Sequence, residues 1–159
     1  MNARNEETCC PRFDPAPWQD RDVTWSDKLF ARDRIRCFLH VPLNFGAVVR
    51  RNMRVLEAAG AVAENAIMLT DETSPWGADL YIEIEKDVPG VHAATLSGTF
   101  LARVYEGPYR NVRAWCDDMH RRVAARGRTL RKLLFYYTTC PRCARRYGKN
   151  YVVLLAQVG

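Results

Sequence analysis

The stretch Leu96-Ser-Gly-Thr-Phe-Leu-Ala-Arg-Val-Tyr105, continuing as Glu106-Gly107-Pro108-Tyr109 and then placing apolar residues at Val112, Trp115, Cys116, Met119 and Val123, decides the fold class. The first ten residues are rich in apolar and aromatic side chains over a strand-like length. After Gly107-Pro108, where proline suits a first helical turn, the apolar spacing becomes i, i+3, i+4, i+7, i+11 and ends at Gly127, as an amphipathic helix would. Two further strand-like runs follow, Leu133 to Thr138 (LLFYYT) and Tyr151 to Val158 (YVVLLAQV). The unit reads β-α-β-β.

The first half repeats this order. Ile35 to Val41 (IRCFLHV) is a short apolar run that ends in the turn signal Pro42-Leu-Asn-Phe-Gly46. Ala47 to Ala59 carries Val49, Met53 and Leu56 on a helical stripe and stops at Gly60. Ala66 to Thr70 and Leu80 to Ile84 form a strand pair joined through Ser74-Pro75-Trp76-Gly77. Gly60 precedes Pro75 by 15 residues and Gly127 precedes Pro141 by 14, so the hairpins correspond as well. The expected architecture is α+β: a duplicated β-α-β-β in one domain, residues 35–159, with repeats over about 35–92 and 93–159. Strands joined by short loops pair antiparallel, and both helices must cover one face of a curved sheet to bury their stripes. A cleft on the pseudo-two-fold axis is a natural ligand site. The segment 1–34, with Pro11, Pro15 and Pro17, is expected to run extended over the surface.

Composition narrows the function classes. The 159 residues are 48% hydrophobic and 26% charged, the range of an ordinary globular chain. No run approaches the ~20 apolar residues needed to span a bilayer, and Met1 to Cys10 lacks an apolar signal-peptide core, so a soluble, cytoplasmic protein without a membrane partner is expected. The net charge of +6 permits a nucleic-acid partner without requiring one. Its clusters, Arg50, Arg51 and Arg54, and Arg121, Arg122, Arg126, Arg128, Arg131 and Lys132, fit a solvated helix face, since no recognised nucleic-acid module accompanies them. A phosphate-binding glycine loop, H-E-x-x-H and G-x-S-x-G are all missing from the sequence. His92 and His120 read as exposed. His40, on a strand, reads as either a core histidine or a site residue.

The thiols leave three readings open. Cys140-Pro-Arg-Cys143 lies among Arg142, Arg145 and Arg146, which would favour a reactive thiolate. It caps an antiparallel hairpin, however, and not the strand-to-helix turn of a thioredoxin-like motif. Cys9 and Cys10 could complete a structural zinc site with Cys140 and Cys143 if the N-terminal segment folds back over that hairpin. The third reading leaves the thiols inert or incidentally paired. No catalytic cofactor is implied. Cys37 and Cys116 fall on a strand and a helix stripe, where cysteine packs as a small hydrophobe.

The strand Asp79 to Glu85 (DLYIEIE) alternates an apolar set, Leu80, Ile82 and Ile84, with a polar set, Tyr81, Glu83 and Glu85. The apolar set should pack beneath the helices. The polar set then lines the opposite face, either as plain wet surface or as a concave pocket with a carboxylate among aromatics. Trp76, Phe135 and Tyr137, with Tyr151, are placed to share such a pocket, although Phe135-Tyr136-Tyr137 offers an aromatic on both faces.

The duplicated unit with Glu106-Gly107-Pro108-Tyr109 at the second helix resembles the GyrI-like (SOUL-type) small-molecule-binding domains over about Ile35 to Val158. Together with Cys9-Cys10-Pro11-Arg12-Phe13, His40-Val41-Pro42-Leu43-Asn44-Phe45-Gly46, Leu96-Ser97-Gly98-Thr99-Phe100 and Tyr136-Tyr137-Thr138-Thr139-Cys140-Pro141-Arg142-Cys143, it is similar to the branch containing cyclopropanoid cyclopropyl hydrolases. That resemblance implies an enzyme that opens the cyclopropane of planar, yatakemycin- or CC-1065-like DNA-alkylating compounds. The site implied is an aromatic cage with an acid assisting water. Many members carry that glutamate on one of the last two strands, and none occurs here between Tyr136 and Val158, so the role is assigned to Glu83 beside Tyr81. Trp76, Tyr81, Phe135, Tyr137 and His40 form the expected substrate-binding set, with Glu85 and Glu106 next in line as acids. The alternative is a non-catalytic protein that sequesters such ligands. The expected oligomeric state is a monomer or homodimer.

Overall fold

The computed structural model describes residues 12–138 and 141–159. Its first repeat comprises β1 (Arg21–Phe38), the short β2 (Val41–Pro42), α1 (Phe45–Ala58), β3 (Met68–Ser74) and β4 (Gly77–Glu83). The second comprises β5 (Ala93–Glu106), a 3₁₀ turn at Tyr109–Asn111, α2 (Val112–Ala125), β6 (Leu130–Tyr137), α3 (Pro141–Tyr147) and β7 (Tyr151–Val158). Each long helix is followed by a glycine with positive φ, Gly60 at +62° and Gly127 at +67°, a conformation that costs glycine no side-chain clash. The duplicated β-α-β-β order is present.

Two elements differ from the sequence expectation. β1 begins at Arg21 and not at Ile35, because a bulge hides its alternation. Its register against β5 breaks between Trp25 and Lys28, and Asp27 takes φ +50°. Val23 and Trp25 therefore share a face with Phe30, while Ala31 and Ile35 share the other. The second difference is at the Cys140–Cys143 turn, whose Pro141–Tyr147 portion winds into α3.

β1 and β5 each serve two neighbours. The N-terminal part of β1 pairs with β5, from Arg21 opposite Ala102 to Ala31 opposite Ala93, and its C-terminal part pairs with β4. β5 likewise passes from β1 to β7. All pairs are antiparallel, and the ring β1-β4-β3-β6-β7-β5 closes on itself through the β1–β5 pairing. The seam between β3 and β6 is short, with only Leu69 opposite Tyr136 and Thr70 opposite Phe135.

Closure divides the apolar residues into three cores. Outside the barrel, Val48 and Leu56 of α1 pack on Ile35, Leu80, Ile82 and Ile84. Trp115, Met119 and Val123 of α2 pack on Leu101, Phe135, Val152 and Leu154. Fully burying one such leucine or methionine contributes roughly 1.5–3 kcal/mol, which fixes both helices to the outer wall. Inside, Phe30, Leu69, Phe100, Leu134 and Leu155 are at most 1% exposed. The face opposite the helices is thus a filled barrel interior, and the expected open concave pocket there is absent among the described residues. Phe13 and Trp18 pack on Tyr136 at ring separations of 5.9 and 5.7 Å, closing one mouth. No helix among the described residues is long and apolar enough to cross a membrane.

Candidate active-site groove

The groove that gathers chemistry lies on the outer wall, where β3 and β6 part company. On β3, the register against β4 breaks between Asp71 and Ser74, so that Glu72 sits in a bulge and is re-aimed out of the alternation. Tyr137 stands at the end of β6, beyond the two residues that pair with β3, on the same outward face as Phe135. Its hydroxyl donates to Glu72 Oε1 at 2.8 Å. The Phe135 and Tyr137 rings lie nearly parallel, 6.1 Å apart at 9°, and Tyr109 meets Tyr137 edge-on at 5.7 Å.

Tyr109 reaches this point because the Gly107-Pro108 turn is tied to the start of β7. The Gly107 N–H donates to the Asn150 carbonyl at 3.1 Å, and Asn150 Nδ2 donates back to the Gly107 carbonyl at 2.9 Å. On α2, Cys116 and His120 are four residues apart and face the groove together. His40, at the turn between β1 and β2, forms the opposite rim. Asp71, Arg131, Lys132 and Leu133 complete a groove of about 480 Å³.

Its electrostatics single out Glu72. Asp71 is buried and engaged by Lys132 Nζ at 3.3 Å. Among the described residues Glu72 makes no ion pair, so its hydrogen bond to Tyr137 leaves carboxylate lone pairs facing the groove. Burial, followed by the negative charge of Glu72 and the bond to it, holds the Tyr137 phenol far above its ordinary pKa. Tyr137 is therefore a fixed donor at neutral pH. Burial, with Glu72 and Asp117 nearby, pushes the Cys116 thiol up to about 11, which keeps it protonated and a poor nucleophile. The site can accept a proton at Glu72 and donate hydrogen bonds from Lys132, Arg131 or His120; of its rings, Phe135 reaches the wall but is only 5% exposed, whereas Tyr109, beside Tyr137, is 37% exposed.

The structure separates the residues expected to act together. Phe135 and His40 line the groove, and Tyr137 holds its carboxylate. Tyr81 does not join them: it is 3% exposed inside the barrel, edge-on to Phe30 at 5.9 Å. Glu83 shares that inner side and is already satisfied, with Lys28 Nζ at 2.9 Å and the Ile67 N–H at 3.1 Å. A carboxylate with both partners in place is engaged in holding the fold, whereas the Glu72 carboxylate faces the groove. Trp76 lies outside the groove, 60% exposed against Phe38. Tyr151 packs on Phe13 at 5.7 Å, away from the cage. Glu85 and Glu106 are exposed. Cys143 is buried on α3, whereas Cys9, Cys10 and Cys140 lie outside the described residues. Among the described residues no three potential ligand side chains converge to hold a metal ion.

Glu72, Tyr109, Cys116 and His120 escaped the sequence reading. Tyr109 was visible in Gly-Pro-Tyr as a signature, but nothing in that triplet gives its direction. Glu72 had no periodic signal, because a bulge is what aims it.

A model of the family described as "Bacterial hydrolase" matches residues 1–158. No curated protein matches the chain. Among solved structures, the crystal structure of the EcmrR C-terminal domain is similar with a TM-score of 0.71 at 12% identity, covering 89% of this chain and 98% of that one. The same protein in a DNA complex gives a TM-score of 0.66 at 11% identity, over 89% of this chain and 57% of that one. SAV2435 bound to tetraphenylphosphonium gives 0.54 at 10% identity, over 87% and 93%. These likenesses establish the fold, the α+β arrangement of a curved antiparallel sheet expected from the GyrI-like resemblance, here closed into a barrel. Matched by the family model from its first residue to Val158, the chain belongs to the bacterial hydrolase family.

Proposed function

We propose that this protein is a hydrolase that opens the strained ring of planar, cyclopropane-bearing alkylating compounds, with Glu72 as the base for water. The observation that supports this reading is the Glu72 carboxylate, held by Tyr137 at 2.8 Å at the wall of a groove lined by Phe135, His40 and His120. In a spirocyclopropyl dienone, Glu72 takes a proton from water as the oxygen bonds to the ring methylene. The carbon–carbon bond then breaks and its electron pair moves into the dienone, giving a phenolate. Return of the proton to that oxygen completes the net addition of one water. Lys132, Arg131 and His120 supply donors toward the developing oxyanion, and the flat walls orient the ring system.

The test is turnover of a spirocyclopropyl dienone, read as a product heavier by one water. Glu72→Gln should lose ~10²–10⁴ in rate, the loss typical of a missing general base, while retaining ligand binding. Glu83→Gln should turn over normally. Wild-type turnover by Glu72→Gln would remove Glu72 from the mechanism. A second reading, sequestration without chemistry, is favoured by one observation: a structural neighbour is bound to tetraphenylphosphonium, a bulky aromatic cation. Stoichiometric binding with no product would select it.

A further inference from the structure

One exposed apolar cluster is used by neither the barrel nor the groove. Phe38, Leu39, Val41, Leu43 and Trp76 are each between 57% and 67% exposed. They occupy two turns that are locked together. The Cys37 N–H donates to the Trp76 carbonyl and the His40 N–H to the Pro75 carbonyl, both at 2.9 Å, and the Phe38 and Trp76 rings meet edge-on at 5.8 Å. Leu43 N–H, bonded to the Arg36 carbonyl at 2.9 Å, and Arg36 N–H, bonded to Asn44 Oδ1 at 2.8 Å, brace the base.

The tip of this hook breaks local sequence rules. Phe38 opposes Val41, so Leu39 and His40 form a two-residue hairpin turn, with φ of +47° and +67°. Such turns favour asparagine and glycine, because other side chains are strained there. A leucine held in that conformation and projected into solvent offers the fold neither turn propensity nor burial. Backbone strain of this kind gathers at functional sites. His40, the second turn residue, also forms the rim of the Glu72 groove, so the cluster is continuous with it.

We propose that Phe38, Leu39 and Trp76 form a distal stacking subsite that takes the non-reacting aromatic arm of an elongated ligand whose electrophilic end lies against Glu72. This rests on the hydrolytic reading of the groove. The cluster meets the groove at His40, so a ligand seated against Glu72 can extend onto it, whereas a second copy of the chain would have to seat on a narrow two-strand ridge. An extended ring system laid across Trp76 and Leu39 needs no wider surface.

Affinity is measured by calorimetry with ring-opened, unreactive phenols, one bare and one bearing an indole-carboxamide arm, so that the result does not depend on turnover. The wild type should bind the armed compound about 10–100-fold tighter. Trp76→Ala and the Phe38→Ala/Trp76→Ala pair should lose most of that preference while holding the bare compound within about twofold, and Trp76→Phe should retain part of it. Melting curves verify that the variants fold. Equal binding of both compounds by the wild type, or a preference that survives in the double variant, overturns the subsite. So does sedimentation showing a dimer that Trp76→Ala dissociates. An intact arm preference in a protein that turns over neither reactive parent refutes hydrolysis and leaves the subsite standing.

Discussion

Tyr137→Phe isolates the bond that makes Glu72 a positioned carboxylate. The substitution deletes one oxygen and leaves the ring, so the near-parallel contact with Phe135 and the edge contact with Tyr109 survive. What goes is an O–H···O contact of 2.8 Å to a carboxylate. Hydrogen bonds to charged groups contribute about 1.5–3 kcal/mol. Glu72 is half-buried and faces the groove, so water can replace the phenol and the lower end, ~1.5 kcal/mol, applies. For a chain of this size that lowers the melting temperature by ~3–6 °C. If the phenol aims Glu72 at the attacking water, a similar amount is added to the barrier, about tenfold in kcat. KM should hardly move, because the ring faces remain. Differential scanning calorimetry and single-substrate kinetics on the same preparation read both effects. A lowered melting temperature with wild-type kcat would show that Tyr137 only supports the fold. A kcat loss as deep as that of Glu72→Gln would show that the phenol takes part in the chemistry itself.

Cys116, with its thiol raised to about 11 against an ordinary value near 9, should react with iodoacetamide about a hundredfold more slowly than a free thiol at pH 8, with a rate rising tenfold per pH unit; fast labelling at pH 7, mapped by mass spectrometry, would contradict its burial beside Glu72. Asp118 accepts from Tyr105 at 2.6 Å and from Arg122 at 2.8 Å, and these partners, the tyrosine hydroxyl first, hold its carboxyl below the usual range. Its contribution is therefore present above the unfolded carboxylate pKa and lost as pH falls through the folded one. In urea titrations Asp118→Asn should cost ~1–2 kcal/mol at pH 7, with the gap closing below about pH 4; a gap that widens in acid would reverse the assignment. For the thiols, Arg12 lies over the Tyr147 ring at 4.5 Å, and Tyr147 shares one side of α3 with the buried Cys143, so the chain just after Cys9-Cys10 docks beside that helix. We propose a structural zinc shared by Cys9, Cys10, Cys140 and Cys143: elemental analysis should find one zinc per chain, released by a mercurial, and metal-free protein with all four thiols titrating would refute it.

How much was legible in the sequence depended on whether a signal was periodic. Both helices, their glycine stops and the strand Tyr151–Val158 follow from spacing that a single face must satisfy. The alternation of Leu80-Tyr81-Ile82-Glu83 likewise told which residues turn away from the helices. What it could not tell is that this other side is sealed. Sealing depends on the N-terminal part of β1 pairing with β5, and the bulge at Trp25–Lys28 shifts β1 from one parity to the other and erases the pattern. The same physics hid the acid. Glu72 sits in the β3 bulge, where a side chain's direction depends on tertiary pairing and not on its position in an alternating run. On β6 the ambiguity of Phe135-Tyr136-Tyr137 was one of parity alone. The two-residue pairing with β3 resolves it, sending Tyr136 into the barrel and its neighbours out.

That short pairing also explains why the groove lies where it does. The two repeats meet twice around the ring. Along β1 and β5 they share nine paired positions, from Arg21 to Ala31, interrupted at the Trp25–Lys28 bulge. Along β3 and β6 they share two, after which the strands diverge. A diverging pair exposes backbone and side chains that neither strand satisfies alone, and just past the last paired residue of β3 its other edge bulges against β4 at Glu72. Glu72 comes from the first repeat, whereas Tyr109, Cys116, Phe135 and Tyr137 come from the second. Neither half holds both the carboxylate and its donor. Duplication gives two different seams, first strand on first strand and second on second, and it is at the poorly paired second one that the carboxylate of one copy meets the aromatic residues of the other. A substitution that straightened the Asp71–Ser74 bulge, which interrupts the β3–β4 pairing inside the first repeat, should therefore stabilise the sheet and turn Glu72 away from the groove together, because the backbone irregularity that weakens that pairing is the one that aims Glu72.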